Sequence, residues 1–459
     1  GFATALYLDL YPALAALVLF GLFGAGLVLR YRLEHRAYEL LAFALPLSVK
    51  LPLAASLDMN LPAEGLVLLV AFLVAWHMVV RGAWRVVAAE PLPALWVVSF
   101  VLPTVMSELV AVSIKFTLLN ATYVAVFFYG FFIFRPQLSI KRTVRLFAVS
   151  LALVSFWSLL QFAAYGWNPV TISGIFKPFF SSHTTVGALA AMLVAYHLPN
   201  VKNDRWAFLA VPFFAAVLFY STSRAAIWSL ALMLVVFLLY FVPRKLRLLL
   251  PLAALAVGGL IAGPQLATKL FDNTQYESHD PNANVLEESM SVTNISTDAS
   301  NMERLNRWIS ALRMFQERPQ FGFGPGTYQF TYLPYQEPSL ENRLTVKNPN
   351  YPPPGSGGSA HNEWLLLLSE NGWPSALLFI MLLAQWVARG MFAPRSQVWA
   401  RAPFFLALFT YFVHLNFNNF LNQPAFAFLF WWMAAALSAS RLRRPSGSGE
   451  VEKNETVTD

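Results

Sequence analysis

The chain has no cysteine, so disulfides, thiolate metal sites and a cysteine nucleophile are excluded. Charge is almost as scarce. Asp, Glu, Lys and Arg make up 12% of the 459 residues, against roughly 25% in ordinary soluble domains. So little charge cannot coat a globule of this length, which excludes disordered chains, coiled coils, secreted mini-proteins and cytosolic two-domain enzymes. In its place the chain is 57% hydrophobic, with 40 Phe and 14 Trp. The mean hydropathy is +0.53, and apolar runs recur along nearly the whole chain. These features predict an all-α polytopic membrane protein. A net charge of +8 would suggest nucleic acid in a soluble protein. In a membrane protein the position of the charges matters more, and no nucleic-acid partner is expected.

A bilayer-crossing helix needs about 20 mostly apolar residues. Such stretches lie near 9–29, 38–57, 62–80, 92–112, 117–134, 145–165, 179–198, 206–222, 225–242, 247–264, 364–388, 403–420 and 424–440, thirteen in all. Twelve remain if one of the weaker segments is re-entrant. Alternate connections carry Arg30, Arg32 and Arg36; Arg81 and Arg85; Arg135, Lys141, Arg142 and Arg145; Lys202 and Arg205; Arg244, Lys245 and Arg247; and Arg389, Arg395 and Arg401. With the C-terminal tail they hold 21 of the 32 basic residues, which marks that side as cytoplasmic. The N-terminus is then expected outside and the C-terminus inside, with no cleavable signal peptide evident at Gly1. The expected organisation is a transmembrane bundle over 1–264 (about ten spans), an extracytoplasmic loop domain over 265–360, C-terminal transmembrane helices over 361–440, and a disordered cytoplasmic tail over 441–459.

A loop as long as 265–360 without a role is uncommon. Its middle, residues 301–317, predicts an amphipathic helix, with Leu305, Trp308, Ile309, Leu312 and Phe315 at helical spacing. Ser300 is the expected cap, with Glu303 three residues on. Pro319 and Gly322, Gly324 and Gly326 end the helix. A Pro/Gly tract over 352–358 then leads to His361-Asn362-Glu363 at the mouth of the next span.

Cations on the outer side carry the chemistry, because charge near hydrocarbon is costly and tends to mark function. Arg224 lies in the short turn Ser221-Thr-Ser-Arg224-Ala-Ala between two spans. Alone it reads as a snorkelling or helix-capping arginine, and Lys115 and Lys177 at other outer span ends read likewise. Together with Arg304 or Arg307 they would form a cationic cluster suited to an anionic headgroup, arginine especially to phosphate. His361 has the setting of a proton acceptor at neutral pH, and equally that of a hydrogen-bonded interfacial histidine. His183 is a weaker candidate of the same kind.

Other chemistries fail. His361-Asn-Glu363 has the spacing of a zinc deaminase motif without the cysteines that must complete it. No H-E-x-x-H occurs. Gly322-x-Gly324-x-Gly326 follows a helix and lacks the ending of a phosphate-cradling loop, so a turn-forming role fits better. Neither metal nor cofactor is expected. A transporter would show paired broken halves with a midplane site, whereas these charges gather at one face beside a large loop, as in an enzyme working at the outer interface.

Ser221-Thr-Ser-Arg224-Ala-Ala, the run Arg304-Leu-Asn-Arg307-Trp308 followed by Pro319-Gln-Phe-Gly322-Phe-Gly324-Pro-Gly326, and Ala360-His361-Asn-Glu-Trp364 with Glu370-Asn-Gly372 are similar to motifs of the O-antigen ligase and O-antigen polymerase superfamily of bacterial envelope glycosyltransferases. The resemblance covers roughly 170–390. It implies a GT-C-like helical fold, usually drawn with twelve spans, in the bacterial inner membrane, with its active site facing the periplasm. It also implies transfer of an oligo- or polysaccharide from an undecaprenyl diphosphate carrier to an acceptor hydroxyl, which in the ligase belongs to the lipid A–core. A polymerase or a protein O-oligosaccharyltransferase would use the same donor. The family's two key arginines map onto Arg224 and onto Arg304 or Arg307. Arg304 is preferred because it stands one helical turn before Trp308. The family's histidine maps onto His361. The resemblance makes Arg224 and Arg304 stabilisers of the leaving diphosphate, with Arg307, Lys177 and Lys115 as further candidates for the same anion. His361 would be the base, and Glu363 or Glu370 could orient it, unless each is a solvated helix-surface residue.

Overall fold

The computed structural model describes residues 23–54, 57–166, 174–239, 298–347 and 358–439. The expected span 247–264, most of 9–29, the first part of the loop and the tail lie outside the described residues. The described residues are mainly helical, with one hairpin as their only sheet, as expected of an all-α polytopic membrane protein.

The principal helices are α1 Glu34–Ala44, α2 Ala63–Val80, α3 Leu92–Val98, α4 Val101–Val105, α5 Val110–Phe134, α6 Ile140–Ala164, α7 His183–His197, α8 Arg205–Tyr220, α9 Arg224–Leu239, α10 Ala299–Glu317, α11 Glu363–Met391, α12 Arg395–His414 and α13 Pro424–Ala439. Four of these, α2, α5, α6 and α11, are long and apolar enough to cross a bilayer; shorter apolar helices include α8, α9 and α13. The expectation of a span at 38–57 is wrong. The helix stops at Ala44, and an antiparallel hairpin follows, β1 Val49–Ala54 paired with β2 Leu57–Leu61. Pro46 opposes continuation of the helix, and Val49, Leu51 and Leu53 alternate with period two. A hydropathy window is blind to that alternation. The segment at 92–112 is likewise broken between α3, α4 and α5.

Two helices form the centre. Nearly every residue of α13 is buried, as is α7 from Thr185 to His197. Apolar all round, they are core elements, and Gly187, Ala188, Ala190, Ala191 and Ala195 give α7 the small side chains that permit close helix approach. The periphery is equally apolar: Phe156, Leu160, Phe208, Leu209 and Leu238 are each more than half exposed. Such a surface suits lipid rather than water.

The basic connections gather at one end. Arg145 holds Asp204, the cap of α8, through two bonds of 2.9 and 2.7 Å. Arg389 reaches Glu90 at 2.9 Å, Arg135 donates to the Ala439 carbonyl at 3.3 Å, and Glu34 lies 3.5 Å from His77 at the end of α2. At the opposite end His183 Nδ1 meets the Ser221 carbonyl at 2.7 Å.

That opposite end carries the loop. The helix predicted there is present as α10, but Asp298 caps it, accepting from Asn301 N at 2.9 Å; Ser300 does not. Its predicted apolar stripe is not its most buried side: Leu305, Trp308, Ile309 and Phe315 are only half-buried. The side facing the protein holds Glu303, Asn306, Arg307, Ser310, Ala311 and Met314, while Leu312 is exposed. In a lipid-facing protein an apolar stripe need not point to the core.

The glycine-rich segment after α10 docks on a break in α11. Phe323 N donates to Ser369 O at 3.0 Å, Gly324 N to Glu370 O at 2.8 Å and Trp373 N to Pro319 O at 3.0 Å. Gly372 has φ 74° and ψ 178°, backbone open essentially to glycine alone, and a Cβ there would lie 2.1 Å from Gln320 O. The backbone strain costs about 1–3 kcal/mol, and the clash adds to it. Gly372→Ala is therefore expected to lower the melting temperature in detergent by several degrees. An unchanged melting curve would contradict this docking.

Candidate active site

Arg224 is the first residue of α9, and the turn before it is tightly held. Ser221 Oγ donates to Leu218 O at 2.7 Å, Thr222 takes φ 49°, and Gly187 of α7 lets the turn approach so closely that a Cβ would sit 2.6 Å from Ser221 Oγ. His183 binds the same turn through Ser221 O, which makes it a scaffold residue here. The Ser221–Arg224 motif thus uses small residues and a glycine opposite to seat one guanidinium.

Arg304, on α10, faces the same space. Both arginines line a cavity of about 370 Å³ whose other walls include Trp228 and Leu232 of α9, Leu305 and Trp308 of α10, Val413 of α12 and Phe417. The cavity is cationic at Arg224 and Arg304 and apolar over most of its wall. Among the described residues no carboxylate comes within ion-pair distance of Arg304. Burial, the charge of Arg224 and that of Arg307 pull Arg304 down to about 10, with Asp298 opposing. It remains a cation at neutral pH, held at a cost that a bound anion would offset.

His361 stands two residues before α11 with φ 51°, a left-handed backbone uncommon outside glycine. Burial first, then the charges of Arg304 and Arg307, push its pKa down to about 3. The ring is therefore neutral at pH 7, as a base must be before it acts.

The remaining candidates separate. Arg307 is paired with Glu303, Nε to Oε1 at 2.7 Å, and is absent from the cavity wall. Lys115 on α5 and Lys177 are exposed, and neither lines the cavity. The two glutamates offered as partners of His361 are buried and engaged elsewhere. Asn419 Nδ2 donates to Glu363 Oε2 at 3.2 Å, and Tyr328 N donates to Glu370 Oε1 at 3.0 Å. Glu370 thus anchors the glycine-rich segment, and neither glutamate is solvated. Sequence reasoning missed the apolar wall, Trp228 and Leu232 at i, i+4 on α9 and Val413 and Phe417 at i, i+4 around the end of α12. The spacing is readable, but the convergence of the two stretches is not. Among the described residues no group of three or more His, Asp or Glu is placed to hold a metal ion.

Residues 207–380 match the family model described as O-antigen ligase. The matched stretch contains Arg224, Arg304, Arg307, the glycine-rich segment and His361, whereas Lys115 and Lys177 lie outside it. No curated protein matches the chain. This stretch, set within the helical membrane fold around it, is thus similar to the O-antigen ligase family.

Proposed function

We propose that the protein transfers an O-antigen glycan from undecaprenyl diphosphate to a sugar hydroxyl of the lipid A–core, at the periplasmic face of the inner membrane, without a metal. The observation that carries this reading is the shared cavity: two guanidinium groups border a predominantly apolar space, and His361, though not in its wall, feels the charge of Arg304. A prenyl diphosphate has the matching halves.

In this reaction the acceptor oxygen attacks the anomeric carbon as its proton passes to His361. The bond from that carbon to the phosphate oxygen breaks, and configuration inverts. Negative charge grows on the departing diphosphate. Preorganised cations in a water-poor site stabilise that charge more than they would in water, and Arg224 and Arg304 fill this role. α10 lies over the site and helps to exclude water.

Purified protein given a lipid-diphosphate-linked glycan and lipid A–core is expected to form glycosylated lipid, and to do so in excess chelator. Loss of activity restored by a divalent ion would overturn the metal-free reading. Product in which glycan extends only on the carrier would assign a polymerase instead.

A further inference from the structure

Arg307, unlike Arg224 and Arg304, does not line the cavity. Its Nε donates to Glu303, whose other oxygen accepts the Thr345 hydroxyl at 2.9 Å. Its Nη1 donates to the Ser359 carbonyl at 3.1 Å. The guanidinium lies 5.8 Å from the centre of the Tyr332 ring, and the Tyr328 hydroxyl donates to the Arg307 carbonyl at 2.8 Å. Residue 358 is a glycine at φ 86°, where a Cβ would fall 1.9 Å from Nη1. The backbone three residues before His361 is thus shaped around this guanidinium.

We propose that Arg307 is a positioning residue: it fixes the Ser359 backbone and, through it, the ring of His361, and it does not bind the diphosphate. The proposal rests on the function given above for His361. A non-glycine backbone at φ 51° persists only where its surroundings over-determine it. On the C-terminal side, Glu363 N donates to Leu415 O at 2.7 Å and Asn362 Nδ2 to Asn416 O at 3.1 Å. On the N-terminal side the bond from Arg307 to Ser359 supplies the matching restraint. A phosphate would have to compete with the Glu303 carboxylate for this buried, already paired charge.

Arg307→Lys keeps the charge, but a single ammonium does not reproduce the rigid fork that spans Glu303 and Ser359. The expected result is a fall in kcat of about 10²-fold, as for a reacting group displaced by an ångström, with donor KM held within about twofold. Arg307→Lys should add nothing in a His361→Ala background. Gly358→Ala, which forces the guanidinium away from the other side, should give the same split if Arg307→Lys does not fold. Acylation of His361 by diethyl pyrocarbonate, followed by mass spectrometry, should be several-fold faster in either variant. That rate needs no turnover, so it decides the positioning role even if wild-type protein transfers nothing to lipid A–core and the functional reading fails. A raised donor KM with kcat retained, or wild-type kinetics and labelling, would overturn the proposal.

Discussion

His361→Ala is expected to reduce glycan transfer by about 10²–10⁴-fold, the usual contribution of a positioned proton acceptor, while donor binding is retained. The pH profile makes the expectation specific. An ordinary histidine titrates near 6.5, whereas His361 is pushed down to about 3 by burial and by Arg304 and Arg307. A lowered pKa leaves the ring unprotonated, and so competent as a base, at every pH well above that value. The acid limb of kcat/KM, which reports the free enzyme, should therefore be absent from pH 5 upward. In the complex the diphosphate neutralises part of the field from Arg304, so His361 gains proton affinity and the limb of kcat should lie at higher pH than that of kcat/KM. A kcat/KM limb near 6.5, or full activity in His361→Ala, would remove the ring from its assigned role.

Arg304→Ala should cost about 10²–10³-fold in transfer, as loss of one preorganised charge-stabilising group typically does, and should weaken donor binding as well. Arg304→Lys should fall between, because the ammonium keeps the charge but loses the planar fork that matches phosphate oxygens. The same substitution reports on His361. Removing a neighbouring cation raises the histidine pKa, so the acid limb of Arg304→Ala should move up from its low position. Arg224→Ala should show a loss of similar size. The double variant should fall short of the product of the two single effects, since both groups act on one diphosphate. Independent, fully multiplicative losses would place the two arginines on different parts of the substrate.

Much of this site is legible in the chain, and the failures have physical causes. Arg224 and His361 stand out because each is a polar group at the edge of an apolar stretch, and Arg304 because it is a cation on the amphipathic helix of the outer loop. Arg307 stands out for the same reason, yet Glu303 four residues earlier neutralises it, a pairing that helical spacing alone makes readable. Lys115 and Lys177 share the span-end position, but the packing of α5 and of the turn before α7 leaves both away from the cavity. Glu363 and Glu370 look like solvated helix residues in a linear reading. Glu370 is buried because α11 breaks at Gly372 and receives the glycine-rich segment along its side, and Glu363 because the end of α12 and the residues after it, Asn419 among them, close over it. The hairpin at 49–61 was hidden because total hydropathy is blind to whether apolar residues recur every two positions or every three to four.

The sequence by itself determined the solvent of this protein and the alternation of its ends, because the transfer cost of an apolar segment or an arginine belongs to that segment alone, whatever it later touches. The tertiary structure decided which charges act together. Coulombic coupling and cavity shape depend on distances between α9, α10, the residues before α11 and the end of α12, and nothing in any one of those segments states that Arg224 and Arg304 will share one apolar cavity with His361 in the field of Arg304.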